Sequence, residues 1–389
     1  MFSLKSLLLV YLAVASWKSL NNHVTLKETS PKYCLVRQNT LSNLISCLDA
    51  FTVSRNFYDA SSYAAAQPTN GEISAWKTII RSMLETNSCD CSDIRVPLVL
   101  AHLYTVAMFL DTDTSRKFCV LSEITTSVHR NYTKGWGLMI VPASAKHISR
   151  PLHISAPHPQ ADINTPQQAG AIFSLVGAHS LLISGRFRSA YAVGTDCVLP
   201  GRSQKRYFKT DPTHDIDEPF SVANQVIRNW QNANGGCPSQ SCAYVQLHGK
   251  GASSCAADTI FISSGLGTSP SSLSWYQNTT LDIPARRLRD EARSIFPTWT
   301  SSLPSDNPKC SLTATGNVFG RLVNGVPETD VCVSEASALT ATAEFIHIEQ
   351  AIVARQSNVY EKWGEVFRRV FRTSCTGRTV EDSKTGLCM

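Results

Sequence analysis

The chain has 389 residues, of which 43% are hydrophobic and 17% are charged, enough for one large domain or two ordinary ones with an apolar core. The formal net charge of +6 is spread along the chain, and no basic tract is interleaved with aromatic residues, so nucleic acid is not an expected partner. Apart from one short N-terminal run, no apolar stretch approaches the ~20 residues of a membrane-spanning helix, so no membrane contact is expected once that run is removed.

The N-terminus has the three parts of a secretory signal. Lys5 supplies a basic start, Leu7–Ala15 is apolar, and the run ends in Ala-Val-Ala, the small-x-small pattern of a cleavage site. A buried N-terminal helix is the alternative interpretation. The pattern predicts a signal peptide over residues 1–15, a polar lead-in over 16–33 and a secreted protein. In that setting Asn131 and Asn278, each followed by x-Thr, are glycosylation acceptors.

Thirteen cysteines support export, because most cysteines pair in an oxidising compartment. The number is odd, so at least one is free or is paired between chains. Cys237–Cys242 and Cys375–Cys388 close short loops and are the pairs that we predict. A rival interpretation makes Cys237, Cys242 and His248 ligands of a structural metal, but two cysteines this close in a secreted chain favour a disulfide.

Residues 34–130 are predicted to form a helical, cysteine-stapled accessory region. Apolar residues recur at helical spacing over Gly71–Glu85, where Ser74 is a candidate N-cap. The long apolar run Val96–Leu110 is predicted to be a buried helix. No catalytic constellation is evident in this region.

From Gly135 onward the pattern changes to short apolar runs alternating with segments of helical spacing, which is typical of a covered, largely parallel sheet. We therefore predict an α/β fold, a mixed, largely parallel sheet flanked by helices, as the catalytic domain over residues 131–375, followed by a tail over 376–389. The predicted strands are Gly137–Ala143, Leu152–His158, Ser180–Arg188, Ala243–Gly249, Asp258–Gly265 and Glu344–Gln350. The predicted helices are Gln168–Ala178, Pro219–Gln231, Pro284–Phe296 and Ala351–Phe371.

Residues with metal-ligand and acid–base chemistry follow or end three of these strands. His158 is followed four residues later by Asp162, His248 ends the fourth predicted strand, and Glu349 ends the last. Sites in such sheets form at the carboxyl ends of the strands. Two histidines and one carboxylate are a three-ligand zinc set that leaves a position for water, and a further carboxylate can act as general base. We therefore predict one Zn²⁺ per chain on His158, Asp162 and His248, with Glu349 as the base. Each has an ordinary structural alternative, such as a turn role for Asp162.

Cationic residues near the same strand ends are candidates for substrate binding. Arg186 and Arg188 follow the third predicted strand and share a face unless Gly185 bends the chain, and of the two Arg188 is favoured. Arg321 is another candidate clamp. His214 is a candidate for substrate contact, for capping the next helix or for orienting a ligand.

Three segments together resemble the spaced motifs of phage and bacterial poly-γ-glutamate hydrolases. They are Ala156–Thr165 (APHPQADINT), Thr213–Phe220 (THDIDEPF) and His248–Gly265 (HGKGASSCAADTIFISSG). The likeness covers about residues 137–350. Those enzymes are zinc hydrolases with a fold similar to zinc carboxypeptidases, N-formylglutamate amidohydrolases and aspartoacylases.

The resemblance implies a secreted, fungal-type zinc hydrolase of amide bonds that acts on an acidic peptide or amide substrate, with a γ-glutamyl bond as one candidate. It also implies that Glu349 is the base and that His214 lies at the site. The departures are Asp162 where the family has glutamate, and Pro-Gln-Ala where the family has glycines. No Gly-x-Ser-x-Gly elbow of a serine hydrolase is present. The alternative function is a non-catalytic secreted binding or effector protein on the same scaffold.

Overall fold

A computed structural model describes residues 30–125, 131–199, 206–377 and 379–389. The predicted signal peptide and most of the predicted lead-in lie outside these residues. Within them, no helix combines the length and the apolar character needed to cross a bilayer.

Helices and strands alternate along most of the chain. The helices are α1 (Pro31–Arg37), α2 (Leu41–Asp49), α3 (Ala60–Ala66), α4 (Asn70–Glu85), α5 (Thr165–Val176), α6 (Pro219–Ala233), α7 (Pro270–Gln277), α8 (Pro284–Ile295), α9 (Val318–Val323) and α10 (Tyr360–Val370). The strands are β1 (Tyr104–Asp111), β2 (Arg116–Glu123), β3 (Leu138–Pro142), β4 (Arg150–Ala156), β5 (Ala178–Ile183), β6 (Ala243–Gly249), β7 (Ile260–Ser263), β8 (Ser301–Ser302) and β9 (Phe345–Gln350).

All these strands form one nine-stranded sheet in the order β1-β2-β3-β5-β4-β6-β9-β7-β8. Its central strands β5, β4, β6 and β9 run parallel, whereas β1, β2 and β3 pair antiparallel on one side and β7 pairs antiparallel with β9 on the other. The predicted fold class, a mixed α/β sheet flanked by helices, is confirmed. Because β4, β6 and β9 are parallel neighbours, their carboxyl ends meet at one edge of the sheet.

The sheet is covered on both faces, as the continuous apolar runs of its strands require. Successive side chains of a strand point to opposite faces, so in β9 Ile346 and Ile348 enter one apolar layer and Phe345 the other. The first layer includes residues of α2, α5, α8 and α10, and the second includes residues of α4, α6 and α9. Glycine at position 170 lets α5 approach α2, since a Cβ there would overlap the side chain of Ile45.

Helix α4 begins at a capping box rather than at the predicted Ser74. The Thr69 hydroxyl accepts from the Glu72 backbone N–H, and the Glu72 carboxylate accepts from the Thr69 backbone N–H. Trp76 then donates its indole N–H to the carbonyl of Pro219 at 2.9 Å, which joins this helix to α6.

Two predicted helices are wrong. Val96–Leu110 forms a short 3₁₀ turn, Leu98–Leu100, and then strand β1, which pairs with β2 through a tight turn. An apolar run without clear periodicity does not distinguish a buried helix from a strand. Here the segment is a strand because it pairs with β2. Within the predicted accessory region, residues 34–125 are therefore only partly helical, and β1 and β2 extend the same sheet that carries the site. Ala351–Phe371 is also not continuous, because two 3₁₀ turns precede α10.

Six disulfides cross-link the chain: Cys34–Cys47, Cys91–Cys119, Cys197–Cys332, Cys237–Cys242, Cys255–Cys310 and Cys375–Cys388. Both predicted short-loop pairs are confirmed. The pairing of Cys237 with Cys242 excludes these two residues as metal ligands. The odd cysteine is Cys89, which is free and exposed.

Candidate metal centre and its cavity

The predicted zinc ligands meet where the central strands end. His158 follows β4 by two residues, and His248 is the penultimate residue of the neighbouring strand β6. Glu349 lies directly opposite His248 in the register of β6 with β9. The sheet therefore brings together residues that are far apart in sequence.

A tight turn supplies the second ligand. The backbone N–H of Asp162 donates to the carbonyl of His158 at 2.9 Å, closing one helical turn between them. Gln160 within it has a φ of 62°, which most side chains disfavour. The turn points both side chains the same way, so that Asp162 Oδ2 lies 3.2 Å from His158 Nδ1. An aspartate four residues after the histidine thus reaches the centre without the longer arm of a glutamate.

The three donor atoms form a nearly equilateral triangle. His158 Nδ1 lies 3.2 Å from His248 Nδ1 and 3.2 Å from Asp162 Oδ2, and His248 Nδ1 lies 3.4 Å from Asp162 Oδ2. Ligands about 2.0–2.2 Å from a tetrahedral zinc ion stand roughly 3.3–3.6 Å apart. All three side chains are buried, each with no more than 4% exposure. Two imidazoles and one carboxylate in this arrangement fit a zinc ion.

Asp211 fixes the orientation of His158. Its carboxylate Oδ1 lies 3.1 Å from His158 Nε2 and also accepts from the Thr213 hydroxyl at 2.7 Å. Because a carboxylate only accepts, Nε2 of His158 carries a proton, and Nδ1 is the nitrogen that would present its lone pair to a cation at the centre. Burial alone would raise the pKa of Asp211, but His214 and His158 outweigh it and hold that pKa well below its usual value. Sequence reasoning missed Asp211, which lies in a loop three residues before the motif histidine His214.

The two ligand histidines have opposite electrostatic environments. Burial would lower the pKa of His158, but Asp211 and Asp162 raise it to about 9. Burial is the largest effect at His248 and lowers its pKa to about 4. Two Nδ1 atoms at 3.2 Å cannot both carry a proton, so the contact requires a shared proton or a cation.

Glu349 faces the same cavity from β9. Burial, reinforced by the nearby charge of Asp162, raises its pKa to about 8. Its Oε1 lies 3.5 Å from Nε2 of His347, a buried residue that sequence reasoning did not single out as functional. The signal was available, because residues two apart on a strand share a face, and Glu349 was already predicted to face the site.

A cavity of about 480 Å³ opens over the centre and includes two cationic residues in its lining, Arg188 and Arg206. Both are exposed, and neither guanidinium group makes a hydrogen bond or salt bridge with the rest of the described chain. His214 also lines the cavity, with its ring stacked on Tyr207 at a centroid distance of 3.5 Å and its Nδ1 3.1 Å from Asp211 Oδ1. This wall combines positive charge with a flat aromatic surface.

The other two predicted clamps lie elsewhere. Arg186 is fully buried, and its guanidinium donates to both carboxylate oxygens of Glu218 at 2.9 and 2.6 Å. Arg321 donates to the backbone carbonyls of Thr315 and Val331 at 2.6 and 2.7 Å. Neither lines the cavity. The spacing of two residues alone would place Arg186 and Arg188 on one face of a strand. The strand β5 ends at Ile183, however, so the two side chains do not share a face.

No family model matches the chain, and no curated protein matches it. Among solved structures, the chain is similar to a succinylglutamate desuccinalase from Vibrio parahaemolyticus, with 13% sequence identity and a TM-score of 0.33. The match covers 72% of this chain and 84% of that chain. At this distance the likeness assigns no substrate to the present protein.

Proposed function

We propose that the protein is a secreted zinc-dependent hydrolase that cleaves an amide bond in an acidic substrate, with a γ-glutamyl or related N-acyl amino acid as the best candidate. The observation that carries the proposal is the convergence of three buried donor atoms, His158 Nδ1, Asp162 Oδ2 and His248 Nδ1, at 3.2–3.4 Å from one another. The motif resemblance to poly-γ-glutamate hydrolases points to the same chemistry.

His158, Asp162 and His248 would hold the zinc ion, which when bound acts as a Lewis acid on a carbonyl group and lowers the pKa of water to about 7. Asp211 accepts a hydrogen bond from the Nε2–H group of His158 at 3.1 Å, and this keeps the Nδ1 lone pair of His158 directed at the ion. The centre is thus built from one local turn, one neighbouring strand and one supporting loop.

Glu349 is the proton carrier in this mechanism. Its carboxylate takes a proton from the attacking water and returns it to the leaving nitrogen, so that an amine departs rather than an amide anion. The register of β6 with β9 places Glu349 next to His248, on the cavity wall. A pKa raised by burial suits a group that must both accept and release a proton near neutral pH.

Arg188 and Arg206 bind the acidic group of the substrate. A guanidinium binds a carboxylate through two parallel hydrogen bonds, and both arginines are free to do so in the described chain. The stacked rings of His214 and Tyr207 offer a flat surface to the remainder of the substrate. Arg186 and Arg321 already use their guanidinium groups in buried contacts, and we assign them structural roles.

Secretion is the proposed setting. The N-terminal signal pattern, two glycosylation acceptors and six disulfides are all consistent with an oxidising compartment. We propose that the N-terminal region is an integral flank of the catalytic unit, because β1 and β2 continue its sheet.

The test begins with the zinc content of the purified protein and of three alanine variants. His158→Ala and His248→Ala should each lose the bound zinc, whereas His102→Ala, which removes an exposed histidine, should keep it. Glu349→Gln should retain zinc and lose hydrolysis of γ-glutamyl peptides and N-acylglutamates.

Folded wild-type protein that binds no zinc and is unaffected by a chelator would overturn the proposal. A fully active Glu349→Gln variant would overturn the assignment of the base while leaving the metal in place. Zinc-bound protein that hydrolyses none of these compounds would favour the non-catalytic binding protein instead.

A further inference from the structure

His347 is a buried histidine that the proposed mechanism does not use. It lies on β9 two residues before Glu349 and faces the same cavity. Its ring centroid is 4.4 Å from that of His248, and only 5% of the residue is exposed. A neutral imidazole in such a position needs a donor partner for one nitrogen and an acceptor partner for the other.

Hydrogen bonds around Ser263 determine which nitrogen of His347 carries the proton. The Ser263 hydroxyl donates its only proton to the carbonyl of Thr313 at 2.9 Å. Its contact with His347 Nδ1 at 3.4 Å therefore has Nδ1–H as the donor and the hydroxyl oxygen as the acceptor. The Nε2 lone pair of His347 is then directed at Glu349.

The resulting contact joins two acceptors. His347 Nε2 lies 3.5 Å from Glu349 Oε1, and both atoms are hydrogen-bond acceptors when the carboxylate is ionised. A lone pair and a carboxylate that face each other in a buried cavity are stabilised by a shared proton or by a metal cation between them.

His248 completes a second ligand group. Its Nδ1 is directed at His158 and Asp162, while its Nε2 is buried and has no hydrogen-bond partner in the described chain. Donor atoms of His248, His347 and Glu349 all lie within 4.8 Å of one another. The distance of 3.5 Å between His347 Nε2 and Glu349 Oε1 is close to the 3.2–3.4 Å of the first triangle. A second ion is expected to bind more weakly than the first, because it places a second positive charge beside it.

We propose that His347 and Glu349, with His248 as the shared third group, form a second divalent-cation site beside the first. When both ions are bound, His248 bridges them as an imidazolate, through Nδ1 to the first ion and Nε2 to the second, and its Nε2 proton is released to solvent. The chemistry selects a borderline metal such as Zn²⁺, because two imidazoles and one carboxylate are its usual donors. Binding at this site does not depend on the hydrolase activity. If Glu349 is the base, as the proposed function holds, a cation here occupies its carboxylate and inhibits the enzyme at excess zinc.

Zinc stoichiometry tests the site without any substrate. Full-length protein is dialysed to equilibrium against zinc from nanomolar to millimolar concentration, and bound metal is measured by mass spectrometry. Wild type should bind two zinc ions in two separate steps. His347→Gln and Glu349→Gln should each keep the tight step and lose the weak one, while His158→Ala should lose the tight step. The control His102→Ala should keep both.

A wild type that binds zinc in the tight step alone would overturn the second site. Two steps that persist in both His347→Gln and His347→Ala would place the weak ion elsewhere on the chain and would equally refute the assignment. Circular dichroism of each variant establishes that it is folded. A wild type that shows only the weak step, lost in His347→Gln and retained in His158→Ala, would count against the proposed zinc hydrolase and not against this site.

Discussion

Replacing Asp211 with asparagine tests how the supporting loop controls the metal centre. The change keeps the size of the side chain but removes its negative charge. Asp211 Oδ1 accepts from His158 Nε2 at 3.1 Å and from the Thr213 hydroxyl at 2.7 Å, and the residue is only 4% exposed. We expect the variant to fold and to bind zinc more weakly.

The expected loss follows from the role of that hydrogen bond. A neutral amide oxygen is a weaker acceptor, so it no longer favours the His158 tautomer whose Nδ1 lone pair faces the metal. Removing the carboxylate partner of a ligand histidine costs about 10–100-fold in metal affinity. That loss corresponds to roughly 1.4–2.8 kcal/mol of binding free energy, at about 1.4 kcal/mol for each factor of ten.

A competition titration against a chromophoric zinc chelator measures this difference directly. The matched control is Asp215→Asn, which removes a carboxylate from the same loop. Asp215 accepts from the Thr195 hydroxyl at 2.7 Å and does not contact His158. Wild-type zinc affinity is expected for the control.

Unchanged affinity in Asp211→Asn would show that this carboxylate does not orient His158. An equal loss in both variants would show that the loop responds to any loss of charge, and the tautomer explanation would then fail.

Two further predictions concern stability. The pKa of His179 is lowered by burial from 6.5 to about 4, so the unfolded chain binds its proton first as the pH falls, and stability present above pH 6.5 is lost towards pH 4. The free energy of unfolding, measured in urea, should fall by about 2 kcal/mol from this histidine between pH 7.5 and pH 5. A folded His179→Gln variant whose stability has the same pH dependence as the wild type would contradict this prediction. Cys197–Cys332 spans 135 residues and Cys237–Cys242 spans 5. Replacing the first pair with alanines should lower the unfolding free energy by about 3 kcal/mol more than replacing the second, and equal losses would refute the loop-length explanation.

The part of the site that could be predicted lies at strand ends. His158, His248 and Glu349 each end or follow an apolar run, and in a parallel sheet such ends converge whatever the details of packing. Asp162 could be inferred because a separation of four residues allows one turn to align two side chains. The choice between Arg188 and Arg186 depended on where β5 ends, and the structure places Arg188, the favoured residue, on the cavity.

The residues that were missed depend on contacts between distant segments. Asp211 lies 53 residues from His158 in a loop whose path no periodicity specifies. The prediction of a helix over Val96–Leu110 is wrong because only the pairing of β1 with β2 distinguishes a strand from a buried helix there. Arg321 was a plausible clamp by type, but its guanidinium is used by two backbone carbonyls that sequence alone does not locate.

The separation of the ligands along the chain makes zinc a reporter of the native state. His158 and Asp162 are four residues apart, whereas His248 is 90 residues from His158 and reaches it only when β4 and β6 pair. An unfolded chain therefore offers at most two of the three ligands in one local segment. The proposed zinc ion would bind the native state almost exclusively, and each tenfold rise in its free concentration above the dissociation constant would add about 1.4 kcal/mol of stability. The melting temperature thus becomes a measure of the free zinc around the protein.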